Sequence, residues 1–204
     1  MNQLSKISVS GFRSIKQAEI PLRPLNVFIG ANGAGKSNLI DFFRMLNYAS
    51  SRGFQASYLA DRGPASHILH FGPKRTQVIN AELQFKGDRG DNFYRFSLAH
   101  VRQDDAFLFT SEEVQFQAVD HAAPTPPIPL GPGGHRESGL AEQWSSDNPT
   151  VRFIKASPCA QAPVASLKPA LSVTSSNFQF PRLRNKRHWP VLLTTKISGR
   201  PSPS

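Results

Sequence analysis

Apolar and polar positions alternate over three consecutive stretches in the middle of the chain. Ile79, Ala81, Leu83 and Phe85 lie on one side of Gln77 to Phe85, Tyr94, Phe96 and Leu98 repeat the pattern, and Ala106 to Phe109 starts a third run towards Phe116. A period of two marks half-buried strands. The segments between them, Gly87-Asp88-Arg89-Gly90-Asp91 and Gln103-Asp104-Asp105, have turn chemistry, so the three runs predict an antiparallel meander. Upstream, Leu4 to Ser10 with Ile7 and Val9 on one face, and Ala18 to Leu22, predict two short strands joined through Gly11-Phe12-Arg13-Ser14-Ile15. Leu25-Asn26-Val27-Phe28-Ile29 is a continuous apolar run of the kind that forms a buried parallel strand. The period then changes. Leu39, Ile40, Phe43 and Leu46 recur at helical spacing from Lys36 to about Tyr48.

Elsewhere the pattern predicts less order. Ser50 to Pro64 is polar and glycine-punctuated, His67 to Phe71 is apolar enough to pack, and Pro124 to Gly134 reads as a loop. Asn148 as N-cap and Pro149 as first helical residue open a short helix over Val151 to Lys155, which Ser157-Pro158 ends. Beyond residue 155 the chain has seven prolines, eight serines, no acid and no sustained period. The expected organisation is therefore a folded region over 1–155 and a basic Ser/Pro-rich tail over 156–204.

Charge follows the same division. The net charge is +10, but the tail holds seven Lys and Arg without an acidic residue, so seven of those charges belong to it. The basic balance thus describes the tail more than the folded part. A single cysteine, Cys159, excludes an internal disulfide and suits a reducing compartment. Neither a signal-peptide pattern nor a membrane-length apolar run is present, so a cytoplasmic location without membrane contact is expected.

The densest chemistry lies between the apolar run and the helix. Gly30, Ala31, Asn32, Gly33, Ala34, Gly35, Lys36 and Ser37 form a complete G-x-x-x-x-G-K-[ST] phosphate-binding pattern. Glycines let the backbone wrap a polyphosphate, the lysine places a point charge between its β- and γ-phosphates, and the serine hydroxyl is a ligand for Mg²⁺. The order strand, glycine loop, helix also directs the positive end of the helix at the anion. ATP and Mg²⁺ are the expected ligands, with Ser37 at the metal.

Together with Ile7-Ser8-Val9-Ser10-Gly11-Phe12-Arg13-Ser14-Ile15 and with Asn38 after Ser37, this loop gives the chain a resemblance to the N-terminal part of the ABC-like heads of RecF, SMC and OLD-type proteins. Leu69-His70-Phe71-Gly72-Pro73-Lys74 and Gly134-His135-Arg136-Glu137-Ser138 are similar to segments of stand-alone bacterial AAA-type ATPases of the RecF-like kind. The resemblance covers about residues 1 to 155. It implies an α/β P-loop NTPase fold of the ABC-like, RecF/SMC type with an antiparallel meander. It implies nucleotide binding by Gly30 to Ser37, support of the loop by Asn38, and Arg13 near the nucleotide. Relatives of this class are ATPases linked to DNA repair or DNA defence, and they dimerise through their heads, which makes DNA a candidate partner.

The same resemblance requires an acidic strand, four apolar residues followed by Asp and usually Glu, and a signature loop, and neither pattern is found in this sequence. Val114 to Asp120 has the wrong period, Val191-Leu192-Leu193 is followed by Thr194 and Thr195, and Leu130 to Gly134 lacks the serine and following helix of a signature loop. The head is thus expected to be incomplete on its C-terminal side and for hydrolysis, with catalytic residues unassigned and Glu112 and Asp120 the first acids to consider. A shifted reading frame or truncated gene, or a genuine disordered basic tail, would each produce the observed change near residue 155. Three functions stay open: an ATPase head fragment, a nucleotide-binding module without turnover, and a basic protein that binds nucleic acid through its tail. Pro181 to Trp189, rich in cations around an aromatic residue, carries the third. His67 and His70 have helical metal-ligand spacing without a second pair, and packing is the expected role of their segment. His135, Arg136 and Glu137 read as a polar cluster with no nucleophile beside it.

The tail is expected not to be an ordered part of the domain, so limited proteolysis should cut after Lys168, Arg184 or Arg187 before any site within Gln77 to Phe85. Equal protection of both regions, read by mass spectrometry of the fragments, would show that the tail is packed.

Overall fold

A computed structural model describes residues 3–31, 33–50, 53–120, 125–142 and the backbone of 171–172. The expected helix start at Asn148 and almost all of the tail lie outside these residues. Five long or medium strands and one short one form an antiparallel sheet in the order β2-β1-β4-β5-β6-β7. Its members are β1 (Gln3–Phe12), β2 (Ile15–Pro21), β4 (Val78–Gly87), β5 (Gly90–Val101), β6 (Ala106–Ala118) and β7 (Ile128–Pro129). β4, β5 and β6 are the meander that the alternating pattern predicts. β1 and β2 form a tight hairpin in which Phe12 pairs with Ile15 across Arg13 and Ser14, and Arg13 takes a positive φ of 47°.

One face of the sheet is covered by α1 (Lys36–Ser50), which extends two residues past its predicted end. Leu39, Phe42, Phe43, Met45, Leu46 and Ala49 are buried along the helix and meet Ile7, Val9 and Phe12 of β1 and the inward residues of the meander in one core. Phe12 and Phe42 pack edge to face with ring centres 5.5 Å apart.

Two expectations are corrected here. The region from Ser50 to Pro64 is not simply a polar connection: it contains a π-helical turn at Phe54–Leu59 and α2 (Ala60–Arg62), followed by α3 (Ala65–Ile68). Phe54 and Tyr58 are fully buried, stacked on each other, and Phe54 also meets Phe107 and Phe109 of β6. Pro124 to Gly134, expected to be all loop, supplies β7, whose Pro129 sits on the sheet edge where a missing N–H costs nothing.

Leu25 to Ile29 is not the buried parallel strand that its composition predicts. Only β3 (Asn26–Val27) is extended, it pairs in parallel with β8 (Leu171–Ser172), and Leu25, Val27 and Ile29 are exposed. Among the described residues, that two-residue pairing is the whole of the sheet around β3, and so the run is not buried on both sides as its composition predicts.

The π-helical turn and α3 begin without a local side-chain cap, and each is capped by an acid from far along the chain. Glu137 accepts from the backbone N–H groups of Phe54 and Gln55, both at 2.9 Å. Asp105 accepts from the Ser66 N–H at 2.8 Å and its hydroxyl at 2.6 Å, and meets His100 Nε2 at 2.7 Å. Desolvation pushes the Asp105 carboxyl up, but the bonds from Ser66 and His100 outweigh it and hold the group below the ordinary carboxylate range. A depressed folded-state pKa contributes stability above the unfolded value, and that part is lost as pH falls through the folded one.

Phe54→Ala removes the ring on which Tyr58, Phe107 and Phe109 pack, and should cost about 3–5 kcal/mol of unfolding free energy in urea titration. A loss below about 1 kcal/mol would show that the π-helical turn is not part of the cooperative core.

Candidate functional site

The glycine loop ends β3 and opens α1, as its pattern requires. Gly33 and Gly35 have φ of 84° and 93°, a conformation that side chains with a Cβ rarely adopt. Lys36, the first residue of α1, turns back over the loop and donates from Nζ to the carbonyls of Gly30 at 2.6 Å and Ala31 at 3.0 Å. Ala34 N–H donates to Ala31 O at 3.1 Å, closing the turn between them. Ser37 is exposed in the first helical turn, where backbone N–H groups have no intrahelical partner. Asn32 lies outside the described residues.

The β1–β2 turn braces this loop. Asn38 Nδ2 donates to Ser14 Oγ at 2.6 Å, and a Cβ placed on Gly35 would stand 3.2 Å from the same oxygen. Gly35 therefore gives close approach as well as backbone freedom. Arg13 N–H donates to Ile68 O at 2.7 Å, His70 N–H to Gly11 O at 2.9 Å, and His70 Nδ1 lies 2.8 Å from Arg13 O. His70 is thus committed to this turn, and His67 is exposed on α3.

Arg13 projects along α1 instead of into solvent. Its Nε donates to Asp41 Oδ2 at 2.6 Å, and Tyr58 donates its hydroxyl to the same oxygen at 3.0 Å. Asp41 Oδ1 faces Arg62 Nε at 3.2 Å and Arg44 Nη1 at 3.6 Å, near enough for charge attraction but without aligned hydrogen bonds. One buried carboxylate thus gathers three arginines about 7 Å along the helix axis from Lys36. Burial first, then the charge of Asp41, pushes the Tyr58 phenol far above its usual range, so it stays a donor. Sequence reading singled out Arg13 and passed over Asp41. Its signal was an acid set between Leu39 and Phe42 on the apolar stripe of α1.

A second buried carboxylate, Glu112, lies across the sheet. The β5–β6 register shifts between Ser97 and Leu98, leaving Thr110 and Ser111 both outward, and this bulge turns Glu112 into the core. Glu112 Oε1 accepts from Tyr94 at 2.6 Å and Ser138 at 2.5 Å, and Oε2 accepts from Gly139 N–H at 2.7 Å and meets His135 Nε2 at 2.8 Å. His135 also stacks flat on Phe109 at 5.2 Å, and Arg136 pairs with Asp104. The 134–138 motif is therefore a strap that fastens β6, the turn at Asp104 and, through Glu137, the π-helical turn. Both Glu112 oxygens are engaged in this fastening, and Asp120 is exposed beyond the end of β6.

The family model described as an AAA ATPase domain matches residues 3–118, which include the loop, α1 and the meander. The chain belongs to this family. Its architecture is that of an α/β P-loop ATPase with an antiparallel sheet. The chain is 47% identical over 164 residues to the DNA replication and repair protein RecF of Renibacterium salmoninarum, covering 75% of this chain and 38% of that protein. It is 31% identical over 120 residues to RecF of Geotalea daltonii, covering 55% and 33%. The chain thus spans less than two fifths of these relatives. Among solved structures, it resembles the recombination mediator protein RecF–ATPrS of the RecFOR pathway, at 18% identity and a TM-score of 0.38 over 59% of this chain and 28% of that one. It also resembles the Smc head domain from Pyrococcus furiosus bound to a ScpA domain, at 17% identity and a TM-score of 0.40 over 78% and 39%. Among the described residues no helix is long and apolar enough to cross a membrane.

Asp41→Asn leaves three arginines without their shared countercharge and should lower unfolding free energy by about 3 kcal/mol in urea titration. An unchanged midpoint would show that the cluster is held by solvent and not by Asp41.

Proposed function

We propose that this domain binds ATP with Mg²⁺ through Gly30 to Ser37, as one part of a RecF/SMC-like ATPase acting in DNA repair or DNA defence in the cytoplasm. The observation that carries the reading is the loop itself: positive-φ glycines at 33 and 35, a lysine turned over the loop and a serine at the start of a 15-residue helix. The residues fit the ligand. A Cβ on Gly33 would meet nothing within 4 Å, so the loop is open there, and the exposed Lys36 amine needs only to exchange two carbonyls for phosphate oxygens. Ser37 would hold Mg²⁺ and the first N–H groups of α1 would hold phosphate. Asn38 would support the site through Ser14, and Arg13, bonded to Asp41 of α1, would lie near the nucleotide. Bound Mg²⁺ would neutralise charge on the β- and γ-phosphates.

Hydrolysis asks for more than binding, because in-line attack needs a positioned water and a completed metal site. Glu112 is occupied by the strap. The reading is therefore a head that binds nucleotide, joins a second head and DNA in the manner of its relatives, and turns over little by itself.

Lys36→Ala should weaken Mg-ATP binding by one to two decades in calorimetry, the equivalent of losing a charge-assisted contact worth roughly 1.5–3 kcal/mol. Phosphate release by the unmodified chain should stay near background in the same preparation. Equal affinity of the two proteins would overturn the site, and turnover abolished by Lys36→Ala would overturn the lack of hydrolysis.

A further inference from the structure

Phe71 is the most exposed large apolar residue described, at 81%, and it is held there by its backbone. Its φ is 54°, in the left-handed region where a bulky aromatic residue is an outlier, and Gly72 follows at 74°. Local strain of this kind persists only where surrounding structure over-determines it. The surroundings do so. His70 N–H is fixed to Gly11 O, Gly72 N–H donates to Leu69 O at 3.1 Å, and Arg75 and Thr76 N–H donate to Gly72 O at 3.1 and 3.0 Å. The His70 ring backs the Phe71 ring at 4.3 Å between centres. A hydrophobic side chain is thus displayed on a rigid mount.

The mount is part of the phosphate-loop assembly. Phe71 adjoins His70, His70 is bonded to Gly11 and Arg13, and Ser14 touches Asn38 and the Gly35 position. Two chain steps and a pair of contacts join Phe71 to the loop. From Leu69 to Gln77 the loop holds Lys74 and Arg75 and no acid, so an anionic ligand meets no repulsion there.

We propose that Phe71 is a stacking platform for the purine base of the nucleotide whose phosphates occupy Gly30 to Ser37. The ring face supplies affinity for a base without reading its edge, which makes the contact selective for nucleotides over inorganic polyphosphate. This inference rests on the nucleotide reading above, and inorganic tripolyphosphate separates the two.

The test is calorimetry of the full chain with Mg-ATP and with Mg-tripolyphosphate. The unmodified chain should bind ATP more tightly than tripolyphosphate. Phe71→Ala should weaken ATP binding about tenfold, with tripolyphosphate binding unchanged, and Phe71→Trp should retain the ATP affinity. An ATP to tripolyphosphate ratio unaffected by Phe71→Ala overturns the platform. So does equal affinity of the unmodified chain for both ligands, while the phosphate-loop reading then stands. Binding of neither ligand overturns both. Loss of single-stranded DNA binding in Phe71→Ala, with ATP affinity intact, would assign the ring to nucleic acid and overturn the proposal.

Discussion

The contact between Arg13 and Asp41 joins the two halves of this fold. It ties the tip of the first hairpin to the middle of α1 with a bond of 2.6 Å, and the same hairpin tip braces Gly35 and Asn38 at the start of that helix. The orientation of the glycine loop relative to the sheet is therefore set by a turn of two residues. Arg13 accepts a positive φ to make this geometry. Asp41 in turn sets the place of Arg44, Arg62 and Tyr58, so the segment after α1 is registered on the same carboxylate.

Acids from a distance do elsewhere what local caps do in most helices. Glu137 starts the π-helical turn and Asp105 starts α3, across 83 and 39 residues. These contacts explain where sequence reading succeeded and where it failed. The meander, the first hairpin and α1 were legible because each rests on a local signal, alternation or helical spacing. The segment around Phe54 and Tyr58 was not, because its N-terminal residue is Gly53 and its capping carboxylate lies in another part of the sequence.

The inward position of Glu112 was not legible for a related reason. Strict alternation from Phe107 and Phe109 would place residue 112 on the outer face, and the extra residue at Thr110 reverses that parity. A bulge leaves almost no mark in composition. The apolar run at Leu25 to Ile29 failed in the opposite direction: its composition is that of a buried central strand, yet burial depends on neighbouring strands, and pairing with Leu171–Ser172 covers only two of its residues. Composition reports the environment a segment suits, whereas exposure reports the neighbours it has.

The strap at residues 134–138 has a consequence for the order of synthesis. Its partners, Phe54, Gln55, Asp104 and Glu112, all leave the ribosome earlier than it does. Until residue 139 emerges, the π-helical turn lacks its capping carboxylate and Glu112 lacks most of its donors, so a nascent chain of about 130 residues carries a charged group in an unfinished core. The sheet can pair strand by strand during translation, because its neighbours are mostly consecutive in sequence. Closure of the core must wait for a five-residue segment that itself contributes almost no apolar surface, which makes the strap a latch on the timing of folding.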